Sequence, residues 1–103
     1  MNSRVDLQMQ LEAVLGSRNV YFQPPETLKI KYPAIIYELS GIDITKADNS
    51  NYLKHRNYLV TLIHSDPDND LVDKLLDHFL YIGLDRPPYE SDNLYHYVFD
   101  LYF

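Results

Sequence analysis

The last ten residues of the chain carry its most regular pattern. From Leu94 to Phe103, large apolar or aromatic residues recur at every second position, the period of an extended strand with one buried face. The residues predicted on that face are Tyr95, Tyr97, Phe99, Leu101 and Phe103. A frayed tail would not need this alternation. We therefore expect a β-sheet in which this segment is a paired strand.

A first helix is predicted near the N-terminus. Leu7, Leu11, Val14 and Leu15 form an apolar stripe at helical spacing, Ser3 is a suitable N-cap, and Gly16 is a natural terminator. A second helix is expected from about Pro67 to His78. Asp66 would be its cap and Pro67 its first residue, a combination typical of helix starts.

The remaining apolar segments predict strands separated by turns. The expected strands are Asn19–Phe22, Thr27–Tyr32, Ala34–Leu39, Asn57–Ser65 and Phe79–Leu84. Asn57–Ser65 is apolar on both faces, which favours a central position in the sheet. A length of 103 residues fits one domain, residues 1–103. The order of elements predicts an α+β fold, with a single antiparallel or mixed sheet and two helices packed on one face.

The segment from Ser40 to Arg56 is the longest polar stretch, and it predicts a projecting loop or a ragged hairpin. Long loops in small domains are often functional, and this one keeps two isoleucines among polar residues. Tyrosine in a predicted loop favours a protein interface. A mobile loop whose isoleucines merely close over the core is the alternative. The candidate interface residues are Ile42, Asp43, Ile44, Asp48, Tyr52 and, in another predicted loop, Tyr89.

Motifs for catalysis or for a cofactor are weak. Asp66, Asp68 and Asp70 resemble the start of a calcium loop, but Leu71 stands where that loop needs glycine. The four histidines are scattered, there is no cysteine, and no phosphate-binding or dinucleotide motif occurs. We therefore expect neither an enzyme nor a cofactor or metal site. A small metal-dependent hydrolase remains the less favoured alternative.

The net charge and the hydropathy of the chain argue against certain classes of binding partner. A formal net charge of −6 argues against general affinity for nucleic acid, because the phosphate backbone is also negative. No apolar run approaches the roughly 18 residues of a membrane span, and no export signal is recognisable near the N-terminus. Lys29, Lys31, Lys54 and Arg56 are interpreted as charges that protect strand edges from unwanted pairing.

Several segments together resemble a small family of bacteriophage proteins. Asn19–Pro25 and Leu28–Tyr37 are similar to it, and shorter matches follow in the same order. Those matches are Ala47–Asn49, Tyr58–Ile63, Asp66–Asp68 and Asp92–His96. The family comprises the tail terminator, or tail completion, proteins of long-tailed phages. The resemblance covers roughly Leu11 to Phe103 and rests on packing and turn residues.

The resemblance implies a structural virion protein that forms a ring of six copies. Such a ring caps the head-proximal end of the tail tube and provides the surface for head–tail joining. It implies three kinds of partner: further copies of the chain, the tail tube protein, and the connector or neck proteins. DNA would only pass through the lumen, assembly would occur in the host cytoplasm, and no membrane would be involved. The alternative is a neck or head-completion adaptor of the head–tail connector.

Overall fold

The computed structural model describes residues 3–47 and 51–103, with side chains for 3–41 and 56–103. Within these residues two helices and one mixed sheet of six strands confirm the α+β class. In chain order the elements are α1 Arg4–Leu15, β1 Val20–Phe22, β2 Ala34–Ala47, β3 Asn51–His64, α2 Leu71–His78, β4 Ile82–Leu84, β5 Tyr89–Ser91 and β6 Leu94–Tyr102.

The sheet has the strand order β1-β2-β3-β6-β4, and β5 pairs with β6 beyond the end of β4. β1 runs parallel to β2, and the other neighbours are antiparallel. β3 therefore lies between two long strands, which confirms the central position predicted for it. β6 is paired along its length, as its alternation predicts.

Helix α1 begins and ends where the sequence predicts. Ser3 and Asp6 form a capping box: the Ser3 hydroxyl accepts a hydrogen bond from the Asp6 N–H at 3.1 Å. Gly16 closes the helix with φ of 79°, a left-handed conformation that costs glycine little. Leu7 and Leu11 of the predicted stripe are fully buried.

Both helices pack on the same face of the sheet. Leu7 and Leu11 of α1 and Leu71 and Leu75 of α2 belong to one apolar cluster. The strand residues of this cluster alternate along each strand, and register places them on one face: Val20, Ile35, Tyr37, Tyr58, Val60, Leu62, Tyr97, Phe99 and Leu101. We call the opposite side the helix-free face.

Two local predictions are wrong. Helix α2 begins at Leu71, and Asp66 lies in a preceding turn, where its carboxylate accepts from the Asp68 N–H at 2.9 Å. Asp-Pro signalled a turn that leads into the helix, because the same short acceptor stabilises turns and caps alike. Thr27–Tyr32 alternates but forms no strand, since no neighbouring strand is paired with it.

The segment from Ser40 to Arg56 is not an irregular loop. Its described residues continue β2 and β3 as a paired hairpin out to Ala47 and Asn51. The ragged-hairpin interpretation was the better of the two. No helix in the described part of the chain is long and apolar enough to cross a membrane.

Candidate interaction surfaces

The hairpin extends well past the rest of the sheet. β6 ends beside Asn57, where Tyr102 is its last paired residue, but β2 and β3 remain paired as far as Ala47 and Asn51. Six residues of strand span about 20 Å at about 3.4 Å per residue. The molecule is correspondingly elongated, with extents of 52 × 27 × 22 Å. We call residues 41–47 and 51–56 the hairpin arm.

A β-bulge separates the arm from the body of the sheet. The register shifts between Leu39 and Gly41, so Ser40 is the extra residue, and its hydroxyl donates to the Asn57 carbonyl at 3.0 Å. A bulge bends and twists the strand that contains it. It also exchanges the two faces of β2. Beyond it, Ile42 and Ile44 occupy register positions on the helix side, whereas before it the odd-numbered residues do.

The arm contains most of the predicted interface residues. Ile42 is paired with Arg56, Asp43 with His55, Ile44 with Lys54, and Tyr52 with Lys46. Asp48 lies outside the described residues. Four of the six candidates therefore belong to one projecting element, which the polar composition of the segment only partly indicated.

Tyr89 lies elsewhere. It is in β5, 46% exposed, and its ring stacks on His96 with centroids 4.8 Å apart and planes 8° from parallel. His96 is paired with Ile63, eight residues along β3 from His55, the partner of Asp43. That separation is about 27 Å along the strand. Tyr89 thus marks the opposite end of the sheet and does not form one surface with the arm.

A groove of about 540 Å³ lies on the helix-free face at the base of the arm. Its floor is formed by β2 and β3, and its wall by the segment after β1 that begins with Gln23, Pro24 and Pro25. The wall is held to the sheet by the Gln23 side chain, whose oxygen accepts from the Leu39 N–H at 3.2 Å. The Pro24-Pro25 pair that ends β1 is the one sequence signal for this wall, and no sequence signal indicates the groove.

Two carboxyl groups meet on the helix-free face near β4. Arg86 donates to Asp85 through Nε at 2.9 Å and Nη2 at 2.7 Å, and this contact lowers the pKa of Asp85, with a smaller contribution from its hydrogen bond with Asp100. Desolvation, followed by the hydrogen bond with Asp85, raises the pKa of Asp100. The two pKa values are therefore shifted in opposite directions, and Asp85 ionises at a lower pH than Asp100 does.

No group of three or more His, Asp or Glu residues lies close enough to hold a metal ion in the described part of the chain. Asp66 and Asp68, which suggested a calcium loop, are joined by a turn hydrogen bond before α2. The described residues also form three exposed features that could contact a partner: the hairpin arm, the groove and the ring of Tyr89.

No family model matches the sequence, and no curated protein matches it. Function is therefore inferred from the sequence resemblance described above together with the geometry of this chain.

Proposed function

We propose that the protein is a structural component of a long-tailed phage virion. In this role it forms a ring, with six copies, that caps the head-proximal end of the tail tube and presents the surface for head–tail joining. The observation that carries the proposal is the hairpin arm. An element that leaves its own domain by about 20 Å is suited to contact a neighbour.

The backbone of the arm supports an assembly role. β1 covers the outer edge of β2 only at residues 35–37, and β6 covers the outer edge of β3 only from Asn57 onward. Beyond the body of the sheet, the described arm has no further strand on either side, apart from the bond from the Phe103 N–H to the Arg56 carbonyl. Exposed strand edges carry unpaired donors and acceptors that favour pairing with another chain.

Net charge also agrees with a ring that surrounds passing DNA. Six copies at −6 each would carry a formal charge of −36. A negative lumen repels DNA and so does not trap it during passage. This is an electrostatic expectation for the assembly, and it requires no specific residue at the lumen.

Deletion of the gene tests the role itself. Lysates imaged by electron microscopy should contain heads separate from tails, with tail tubes of irregular or excessive length. Tails of normal length that fail to join heads would favour a neck or head-completion adaptor. Normal virions without the gene would exclude both roles.

Shortening the arm tests the element that carries the proposal. Replacing residues 43–55 by Asn-Gly joins the paired residues Ile42 and Arg56 through a two-residue hairpin turn. The described core lies in the body of the sheet, so the melting temperature should change by only a few degrees. The variant should nevertheless fail to complement the gene deletion. A stable variant that supports normal virions would show that the arm is dispensable for assembly.

A further inference from the structure

We propose that the groove on the helix-free face receives the hairpin arm of a second copy of this chain. The inference rests on the assembly role proposed above and names the surface through which the copies join. It commits to one occupant, an arm of the same sequence. The reasons are the exposed apolar lining of the groove, its charge, and the direction in which the arm leaves the sheet.

The groove exposes apolar surface that its own domain does not cover. Ile36 and Leu59 form its floor and are only half-buried, and Leu28 in its wall is 42% exposed. The opposite face of the same strands is closed by two helices. An apolar floor bounded by a wall is a surface that gains free energy when a partner excludes water from it.

The charges of groove and arm are complementary. Glu26 and Glu38 line the groove, and no lysine or arginine is among the described residues that do so. Residues 41–56 contain Lys46, Lys54 and Arg56 against Asp43 and Asp48, a formal excess of +1 in a chain whose total is −6. Lysine stems can cover apolar surface while their ammonium groups reach carboxylates at the rim.

One polar atom near the groove has no hydrogen-bond partner among the described residues. Asn57 Oδ1 is buried and accepts no hydrogen bond from the described residues. Asn57 precedes Leu59 by two positions on β3, so register places both on the helix-free face. A buried acceptor without a donor is unusual, so the described residues beside the groove leave one polar group unsatisfied.

An arm cannot fill the groove of its own chain. Glu38 and Leu59 line the groove, while the arm continues the same two strands away from them. A paired hairpin would have to fold back on itself to reach that surface. Arm and groove are different surfaces, so their contact is heterologous, and repeated heterologous contacts close into a ring when the rotation between copies allows it.

Cross-linking between two singly labelled proteins tests the contact directly. The chain has no cysteine, so an introduced one is the sole thiol of each variant. Thr61→Cys places a thiol in the groove and Thr45→Cys places one in the arm. When the two purified proteins are mixed at high concentration with a short bismaleimide, we expect a covalent heterodimer. Its yield should exceed, at least tenfold, that of Thr45→Cys mixed with Asp73→Cys, whose thiol is on α2.

Charge reversal supplies the matched control. Adding Glu26→Lys and Glu38→Lys to the groove protein should reduce the heterodimer at least tenfold. Adding Asp73→Lys and Asp77→Lys, which lie on α2, to the groove protein changes its net charge by the same amount and should not reduce the heterodimer yield. Circular dichroism confirms that both proteins are folded. A heterodimer yield equal to that of the α2 control would overturn the proposal. In an infected lysate, a cross-link that joins the arm to a different virion protein and not to a second copy would overturn it as well.

The outcomes for the contact and for the proposed function are separable. If the arm-to-groove cross-link forms but deletion of the gene leaves normal virions, the contact is supported and the tail role is rejected. If the deletion gives defective virions but the cross-linking yield equals that of the α2 control, the tail role is supported and the contact is rejected.

Discussion

At the scale of single residues, Tyr37 connects helix α1 to the sheet. Its ring is fully buried, while its hydroxyl donates to Gln8 and accepts from Arg4 Nη1 at 3.2 Å. Desolvation raises the pKa of this hydroxyl, against the opposing effect of Arg4. Tyr37→Phe should lower the free energy of unfolding by about 1–2 kcal/mol, since two hydrogen bonds are lost and one involves a charged donor. Chemical denaturation measures this. Tyr102→Phe, on an exposed ring, is the control and should change stability much less.

Asp100 makes a pH-dependent prediction at the same scale. Its pKa is raised in the folded protein, so the folded state binds its proton more tightly than the unfolded state does. Ionisation therefore costs stability as pH rises from about 3.8, the ordinary value, through the folded-state pKa. Asp100→Asn should melt at a higher temperature than the wild type at pH 7, and the difference should disappear in acid.

The causes of the Asp100 shift can be separated by a second substitution. Desolvation is the largest cause and the hydrogen bond with Asp85 the next, so in an Asp85→Asn background the advantage of Asp100→Asn should shrink but persist. A melting-temperature difference that is the same at every pH would contradict this assignment.

At the scale of elements, the start of α2 shows which local signal decides a helix boundary. Asn69, which the sequence did not single out, accepts from the Leu71 N–H through its Oδ1 at 3.1 Å. Asp70 occupies the cap position but makes no side-chain cap bond, only an exposed ion pair with Lys74. Asn69→Ala should therefore cost about 0.5–2 kcal/mol, the usual range for a lost cap acceptor. Asp70→Ala should cost less in thermal unfolding, because exposed ion pairs contribute little. Equal losses of stability in the two variants would show that Asn69 and Asp70 contribute alike to the start of α2.

The alternation of apolar residues and the helix-capping residues correctly predicted those elements that are stabilised locally or have one buried face. Helix α1 follows from Ser3, Gly16 and its apolar stripe, and β6 from its strict period. Thr27–Tyr32 has the same period but no strand beside it, and pairing is a tertiary property that a single segment does not contain. The hairpin arm was underestimated for the converse reason, since its backbone pairs although its composition is polar. The groove could not be predicted from the sequence, because its wall and its floor come from segments that only the fold brings together.

At the scale of the whole molecule, charge is distributed unevenly along the sheet. Residues 66–100 contain nine acidic residues against Lys74 and Arg86, a formal charge of −7, whereas residues 41–56 carry a formal charge of +1. β3 runs from the arm at one end to His64 at the other, so it connects the cationic projection to the acidic body. A molecule with this asymmetry favours head-to-tail contact with copies of itself over contact between identical ends.

This asymmetry predicts that two defective alleles will complement each other. Lys46→Glu with Lys54→Glu makes the arm anionic, and Glu26→Lys with Glu38→Lys makes the groove cationic. Each protein alone would oppose charges of the same sign across its arm-to-groove contact and should fail to rescue a phage that lacks the gene. Expressed together, each arm finds an opposite charge in the groove of the other protein.

In the proposed ring of six copies the two proteins can alternate all the way round, whereas a ring with an odd number of copies would retain one repulsive contact. We therefore expect co-expression to restore joined virions, counted by plaque formation and by electron microscopy, to within about tenfold of the wild-type gene. Co-expression of two arm-reversed alleles is the control and should restore none. Rescue by either allele alone would show that charge does not govern the contact, and failure of the pair, with both proteins folded, would show that arm and groove do not meet in the ring.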